Sequence, residues 1–372
     1  MENSTSRDNN WQMKQISEEE INAYPFSEFI QKDICIFCGK EAKVNAKTLC
    51  KACSKKLSSR VHFINDLSIT SKIKNGENNS ESMLRVLIEF GQSTEFKLKN
   101  PIAVTFSNDR NIIVLDYPTA HNYRLSIFSP DGKYEKTLIE LSKGSGYNEL
   151  NKPKGMSADK WGNIYIADSG NNRIQRTDLN GGILGPIGNY GKKHGQFFYP
   201  CDICIDELGM LYIADTGNNR IQKITPQGMP LLIIGETTEF LDIEGELIFN
   251  EPYGVFVDVN GDIWVSDTNN HRLIKFDAKG NLSFKFGEEG ENFGNLSYPW
   301  SVYINSAGFI YVFDMDNQRM QIFNTYGEFV QVFFIDGNLA ALGGKGISFD
   351  AGGDFLFCNT VDGTIIRFEI LL

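Results

Sequence analysis

A glycine, a short run of alternating apolar residues and a closing acid recur along this chain at nearly even intervals. The pattern reads Gly162-Asn-Ile-Tyr-Ile-Ala-Asp168, Gly209-Met-Leu-Tyr-Ile-Ala-Asp215, Gly261-Asp-Ile-Trp-Val-Ser-Asp267 and Gly308-Phe-Ile-Tyr-Val-Phe-Asp314. Two looser copies flank these, Arg110-Asn-Ile-Ile-Val-Leu-Asp116 and Gly353-Asp-Phe-Leu-Phe-Cys-Asn359. The closing positions lie 52, 47, 52, 47 and 45 residues apart. Self-similarity at such a period marks a repeat architecture, in which no single unit can bury its own faces and neighbours must do so.

Each unit reads as four antiparallel strands. In the fourth copy these are Tyr253–Asp258, Asp262–Ser266, Leu273–Asp277 and Leu282–Phe286, with the turns Asp267-Thr-Asn-Asn-His-Arg272 and Ala278-Lys-Gly-Asn between them. Gly and Asn stand where the apolar alternation lapses, because both tolerate the backbone angles of tight turns. The 27 Phe, 14 Tyr and 35 Gly suit many short strands better than a helical bundle. Six such sheets packed face to face around an axis bury their faces and leave only short edges. The chain ends fit a closed ring. The last copy stops after its third strand, Thr364–Ile370, and the missing fourth stands ahead of the first copy as Met83-Leu-Arg-Val-Leu-Ile-Glu-Phe-Gly91. The fold class expected is therefore all-β, a six-bladed propeller closed by an N-terminal strand.

The turn after the second strand carries the most specific residues: Asp168-Ser-Gly-Asn-Asn-Arg-Ile174 and Asp215-Thr-Gly-Asn-Asn-Arg-Ile221, with close variants Asp267-Thr-Asn-Asn-His-Arg-Leu273 and Asp314-Met-Asp-Asn-Gln-Arg-Met320. On these residues the chain resembles the NHL-repeat propeller family over about its last three-quarters. The first repeat departs, with a longer loop through Tyr117-Pro-Thr-Ala-His121 before Arg124, and the last has Asn359 and Thr364 for the Asp and Arg. An Asp and an Arg five apart across a tight turn can return to one another or to turn carbonyls. A pair repeated in most blades reads as architecture and not as an active site.

Ahead of the propeller, Cys35-Ile-Phe-Cys38 and Cys50-Lys-Ala-Cys53 place four thiolates in two C-x2-C pairs, the arrangement of a tetrahedral structural Zn²⁺ site. One zinc per chain is expected, in a treble-clef or short ribbon, with a helix over Lys51–Leu67. A disulfide pair or four free thiols are the alternatives. NHL propellers in some animal proteins follow zinc domains of ubiquitin ligases, but a RING needs twice as many ligands as these four cysteines supply. Ser17-Glu-Glu-Glu20 resembles a capping box opening a short helix with Ile21, Tyr24, Phe26, Phe29 and Ile30 on its apolar side. The expected organisation is 1–33, a partly disordered N-terminal segment with that helix; 34–71, the zinc module; 72–82, a linker; and 83–372, the propeller. Of the remaining cysteines, Cys201 and Cys204 stand three apart on a first strand and face opposite ways, and Cys358 reads as core.

The net charge of −11 is unevenly placed. Residues 1–82 hold 12 Lys and Arg against 11 Asp and Glu, leaving 24 against 36 for residues 83–372. Lys40 to Arg60 contains seven basic residues and one acidic one. The propeller should repel nucleic acid on average while the small module could attract it; a plain solvated surface accounts for the split equally well. No apolar run is long enough to span a membrane, and the polar start Met1-Glu-Asn-Ser-Thr-Ser-Arg-Asp has no secretory core, so a cytoplasmic protein is expected.

Aligning the repeats puts Ile102, Lys154, Cys201, Tyr253, Trp300 and Lys345 at the channel mouth, each after a first-strand Pro (Gly344 in the last repeat). Tyr147, Phe198, Tyr199, Phe240, Phe293 and Tyr298 lie on the inter-blade loops. Such a rim suits a protein or peptide partner, with Tyr253 and Trp300 as anchors and Lys154 and Lys345 supplying charge; the other reading packs several of these rings between blades. The resemblance also admits RNA regulators and, at lower weight, propeller lyases or lactonases with a metal in the channel. None of the four histidines, at 62, 121, 194 and 271, falls at the mouth position, and no hydrolase triad or zincin motif is present. A non-enzymatic interaction scaffold is the reading the sequence favours, with an RNA-associated regulator acting through the zinc module as its rival.

Overall fold

The computed structural model describes residues 61–64, 84–235, 249–335, 347–349, 355–359 and 362–370. The cysteines expected to bind zinc, the N-terminal helix, the linker, Phe240 and Lys345 lie outside the described residues. Six sheets form a six-bladed propeller. In the fourth blade the strands run Pro252–Val257, Ile263–Asp267, Arg272–Phe276 and Leu282–Phe286, within about a residue of the expected bounds. The first strands Pro101–Phe106, Met156–Ala158, Asp202–Ile205, Pro252–Val257 and Pro299–Ile304 pack each against the next. Tyr303 then stacks on Phe349 of the sixth blade at 4.0 Å, and Ile347–Phe349 packs back on Pro101–Phe106. The ring is closed.

Burial peaks in the second strands of the blades and falls off at the rim. Every residue of the second strands Leu211–Asp215, Ile263–Asp267 and Ile310–Asp314 is buried, because neighbouring blades cover both faces there. The outer strand Leu282–Phe286 has no fully buried residue, since the blades splay apart at the rim. The turns are built from side chains that mimic backbone acceptors. Asp206 accepts the N–H groups of Leu208 and Met210, Asp159 those of Trp161 and Asn163, and Asp258 those of Asn260 and Asp262. The glycine closing this turn takes a positive φ, 80° at Gly209, which explains why it recurs at the head of each complete repeat.

Leu84–Phe90 pairs antiparallel with Thr364–Ile370 and supplies the sixth blade's outer strand. Gln92 clamps the junction: its side-chain amide donates to Leu98 O and Gly363 O, each at 2.8 Å. Phe90 lies across Phe128 of the first blade with centroids 4.9 Å apart. The two ends of the propeller are thus held by a ladder and by a core contact.

The helix expected over Lys51–Leu67 does not extend through Val61–Ile64, which is a strand. It pairs parallel with the outer strand of the fifth blade, Val61 opposite Val332 through Ile64 opposite Ile335. The sequence Val-His-Phe-Ile favours strand, and the rim of a blade offers unpaired backbone groups that a weak local helix preference does not outweigh. A chain beginning at residue 83 should therefore show faster amide exchange within Val332–Ile335 than the full chain, with Phe313 and Ile322 in the same blade unchanged. Equal exchange in both chains would contradict the pairing. Among the described residues no helix is long and apolar enough to cross a membrane.

Candidate functional site

The repeated Asp-Thr-Gly-Asn-Asn-Arg turn occupies its polar groups with the joints between blades. In the third blade Asp215 accepts the Phe198 N–H at 2.7 Å, the Asn218 amide at 2.9 Å and the Gln222 amide at 2.8 Å. Thr216 donates its hydroxyl to Pro252 O of the next blade at 2.7 Å. Ser169 and Thr268 do the same to Pro200 O and Pro299 O. Asn219, in the left-handed region at φ 52°, accepts the Glu251 N–H at 2.8 Å. Arg220 bonds Asp215 at 2.6 Å and reaches back to the carbonyls of Lys192, Lys193 and Gln196. Burial pushes the Asp215 carboxyl up, and these donors and the guanidinium pull it back toward the ionised form. Asp116–Arg124, Asp168–Arg173, Asp267–Arg272 and Asp314–Arg319 repeat the ion pair. The first repeat keeps it across its longer loop, as a two-pronged contact of 2.9 and 2.7 Å.

Of the residues after the first-strand prolines, Lys154, Tyr253 and Trp300 lie near one another. Tyr253 and Trp300, from adjacent blades, stack at 4.9 Å with planes 6° apart. The Lys154 ammonium lies 5.9 Å from the Tyr253 ring although its blade is two removed, so the side chains converge near the axis. Cys201, on the blade between, is buried and is the polar neighbour that acts on both Lys154 and Tyr253. Gly155 and Gly254 follow Lys154 and Tyr253. A Cβ on either would collide with the next blade's backbone, at Cys201 O and Trp300 O respectively, so the inner strands require glycine there. Burial lowers the Lys154 pKa and raises that of Tyr253 well above the ordinary phenol value. The Tyr253 hydroxyl is buried beside the Cys201 thiol, a weak partner outside good hydrogen-bond geometry, and has no nitrogen or oxygen partner. The sequence placed Cys201 at the mouth but gave it no role, because a small thiol carries no recognition signal.

The loop aromatics divide. Tyr147, Phe198 and Tyr298 are exposed, at 59%, 42% and 38%. Phe293 instead stacks on Phe329 at 5.4 Å and lies beside the Arg319 guanidinium, so it belongs to the joint. Tyr199 is half-buried and takes φ 51° where the chain enters the blade. Tyr190, 66% exposed and packed edge-on against Phe198 at 5.6 Å, joins the exposed group without having been marked by the repeat alignment. Cys201, Cys204 and Cys358 are buried free thiols, and burial pushes Cys201 up to about 11. Iodoacetamide at neutral pH should leave all three unmodified until the protein is denatured, as peptide mass spectrometry would show. Native labelling of Cys201 would contradict the closed packing around it.

Three segments, residues 150–176, 197–224 and 249–276, match the family model for the NHL repeat. They are NHL repeats. Each spans the last residues of an inter-blade loop and the three inner strands of one blade, ending at the third strand. Over 97 residues the chain is 39% identical to Protein brain tumor of Drosophila melanogaster, which is 26% of this chain and 9% of that protein. Over 47 residues it is 51% identical to B-box type zinc finger protein ncl-1 of Caenorhabditis elegans, 13% of this chain and 5% of that one. The chain thus matches less than a tenth of either relative's length. Among solved structures, virginiamycin B lyase from Staphylococcus aureus superposes with a TM-score of 0.53 at 14% identity, over 77% of this chain and 99% of that one. A gluconolactonase from Xanthomonas campestris does so at 0.55 and 14% identity, over 77% and 89%. At this identity the likeness is one of fold alone.

Proposed function

We propose that this protein is a non-enzymatic interaction scaffold whose propeller mouth recognises a protein or peptide partner. The observation that carries the reading is the convergence of Lys154, Tyr253 and Trp300 from three blades, with exposed Tyr147, Tyr190, Phe198 and Tyr298 on inter-blade loops. Stacked aromatics beside a lysine make the kind of anchor that dominates binding energy at interfaces. The repeat's Asp and Arg side chains do not compete for a chemical role, since they hold the blade joints. Lys345, which follows Gly344 as Lys154 follows Pro153, completes the set by sequence position. Replacing Lys154, Tyr253, Trp300 and Lys345 together should remove the partner from a pull-down while leaving the unfolding temperature of the ring within a few degrees. An unchanged set of partners would move recognition to another surface.

Cys35, Cys38, Cys50 and Cys53 are proposed to hold one structural Zn²⁺ in a module that offers a second contact surface. Two C-x2-C pairs support this, and one relative is named as a B-box type zinc finger protein. Elemental analysis of the full chain should give about one zinc per chain, and none for Cys50→Ser. A full complement of metal in that variant would contradict the four-cysteine site.

A second reading rests on the seven basic residues of Lys40 to Arg60, which would bind RNA electrostatically while the propeller serves as a platform. It requires binding that weakens steeply with salt and disappears without residues 1–82. The protein is proposed to work in the cytoplasm.

A further inference from the structure

The polar groups at the channel mouth are left over by the fold's own bonding. Lys223 and Lys275, on blade surfaces, pair with Asp206 at 3.6 Å and Asp262 at 2.7 Å. Lys154 has no such partner among the described residues. Its backbone N–H bonds Ala167 O, and its ammonium points over the Tyr253 ring. Asp202, buried beside Cys201, directs its carboxylate to the N–H groups of Ile203 at 2.7 Å and Val255 at 3.0 Å. Lys152 adds a second positive charge acting on Lys154. The Tyr253 hydroxyl, buried with no nitrogen or oxygen partner, stands in the same cluster. A half-buried ammonium and a hydroxyl so placed are both costly unless something completes them.

The missing partner must accept hydrogen bonds and carry negative charge. A carboxylate does both with two oxygens, one for each donor. A neutral amide offers one oxygen and brings donors of its own. A phosphate group brings three or more acceptors for two donors, and a nucleic acid carrying many would meet a propeller with 36 acidic and 24 basic residues. The stacked rings of Tyr253 and Trp300 form an apolar wall along which a methylene stem can lie.

We propose that the channel mouth is a carboxylate-binding subsite, with Lys154 Nζ and Tyr253 Oη as donors, that takes an acidic side chain of a peptide partner. This rests on the reading of the mouth as the recognition face. Thr216 donates its hydroxyl to Pro252 O, and Asp202 accepts the Val255 N–H.

The test uses the full chain with its lysines ¹³C-dimethylated, titrated with N-acetyl-glutamate N-methylamide, its glutamine counterpart and inorganic phosphate. The Lys154 signal, identified by its loss in Lys154→Met, should shift saturably with the glutamate derivative. It should respond about tenfold more weakly to the glutamine derivative and in Tyr253→Phe. Lys223→Met should leave the titration unchanged. Tyr253→Phe removes a hydroxyl whose one polar neighbour is the Cys201 thiol, so it should unfold close to the wild-type temperature; a markedly lower temperature would mark the hydroxyl as structural and overturn its role as a donor. Equal response to the two amino-acid derivatives, or none by about 100 mM, would overturn the subsite. Tighter binding of phosphate would overturn the carboxylate assignment in favour of a phosphorylated ligand. If carboxylates fail while the four-residue variant still loses its partner, the subsite falls and the recognition face stands. If that variant also keeps its partner, both fall.

Discussion

A chain trimmed to residues 92–372 should lose its cooperative unfolding transition, whereas one trimmed to 83–372 should keep it. The nine residues between contain the strand Leu84–Phe90, which caps the sixth blade by pairing with Thr364–Ile370. Without it the third strand of that blade becomes an open edge, and the ring loses the Phe90–Phe128 contact at 4.9 Å. Gly132 packs directly against the Phe90 ring, so the first blade's outer hairpin also loses a wall. An entire ladder and a buried aromatic ring are worth on the order of the 5–15 kcal/mol that stabilises a typical domain. Differential scanning calorimetry of the two chains checks this. A sharp transition for 92–372 at the temperature of the longer chain would contradict closure by exchange of the terminal strand.

Arg220→Met should cost the propeller about 3–5 kcal/mol, because it leaves Asp215 as an uncompensated buried charge. Both side chains are 0% exposed. The substitution also removes the guanidinium from the carbonyls of Lys192, Lys193 and Gln196, held at 2.7, 3.0 and 2.7 Å; Lys193 O keeps the Gln196 N–H and Gln196 O keeps the Gln222 amide. For a ring of this size the unfolding temperature should fall by roughly 10 °C. Arg319→Met should behave alike, since Arg319 is 1% exposed and holds Glu291 O, Asn292 O and Asn295 O. Arg173→Met and Arg272→Met should cost less, because those side chains are 11% and 15% exposed and water can reach the carboxylate left behind. Equal losses at all four positions, or none, would contradict the burial-ranked account of the joints.

Adding Asp215→Leu to Arg220→Met should not restore stability. An isolated ion pair can be exchanged for apolar side chains at little cost. Asp215 also accepts the Phe198 N–H and the Asn218 and Gln222 amides; without it the Phe198 N–H loses its acceptor, and the two amides lose one of their two, keeping Gly191 O and Gln196 O.

The propeller was legible in the sequence because its information is local and repeated. Gly209 with Asp206 sets the first hairpin, and Asp215 through Arg220 sets the second and the joint to the next blade. Each copy restates the same short-range geometry, so the period alone yields blade number and the strand exchange at the ends. The same alignment put Tyr253 and Trp300 at equivalent positions of the ring; that their rings stack is seen only in the structure. What escaped depends on neighbours far apart in sequence. Val61–Ile64 reads as the end of a helix until the fifth blade, some 270 residues on, supplies the edge it joins. Phe293 and Phe198 occupy similar loops, yet one folds onto Phe329 and Arg319 while the other stays exposed. Side-chain type does not distinguish them; the adjacent blade's surface does. The Thr216 and Ser169 hydroxyls, which latch one blade to the next proline carbonyl, were visible as part of the motif but not as its inter-blade bond.

The most direct measurement of the central claim is affinity purification of the intact chain beside residues 83–372, with nuclease treatment and mass spectrometry of what is retained. A mouth that recognises a protein predicts a defined partner surviving nuclease on both chains, and lost from both when Lys154, Tyr253 and Trp300 are replaced. Nucleic acid retained by the intact chain alone, with no partner on the shorter one, would contradict it and assign recognition to the segment before residue 83.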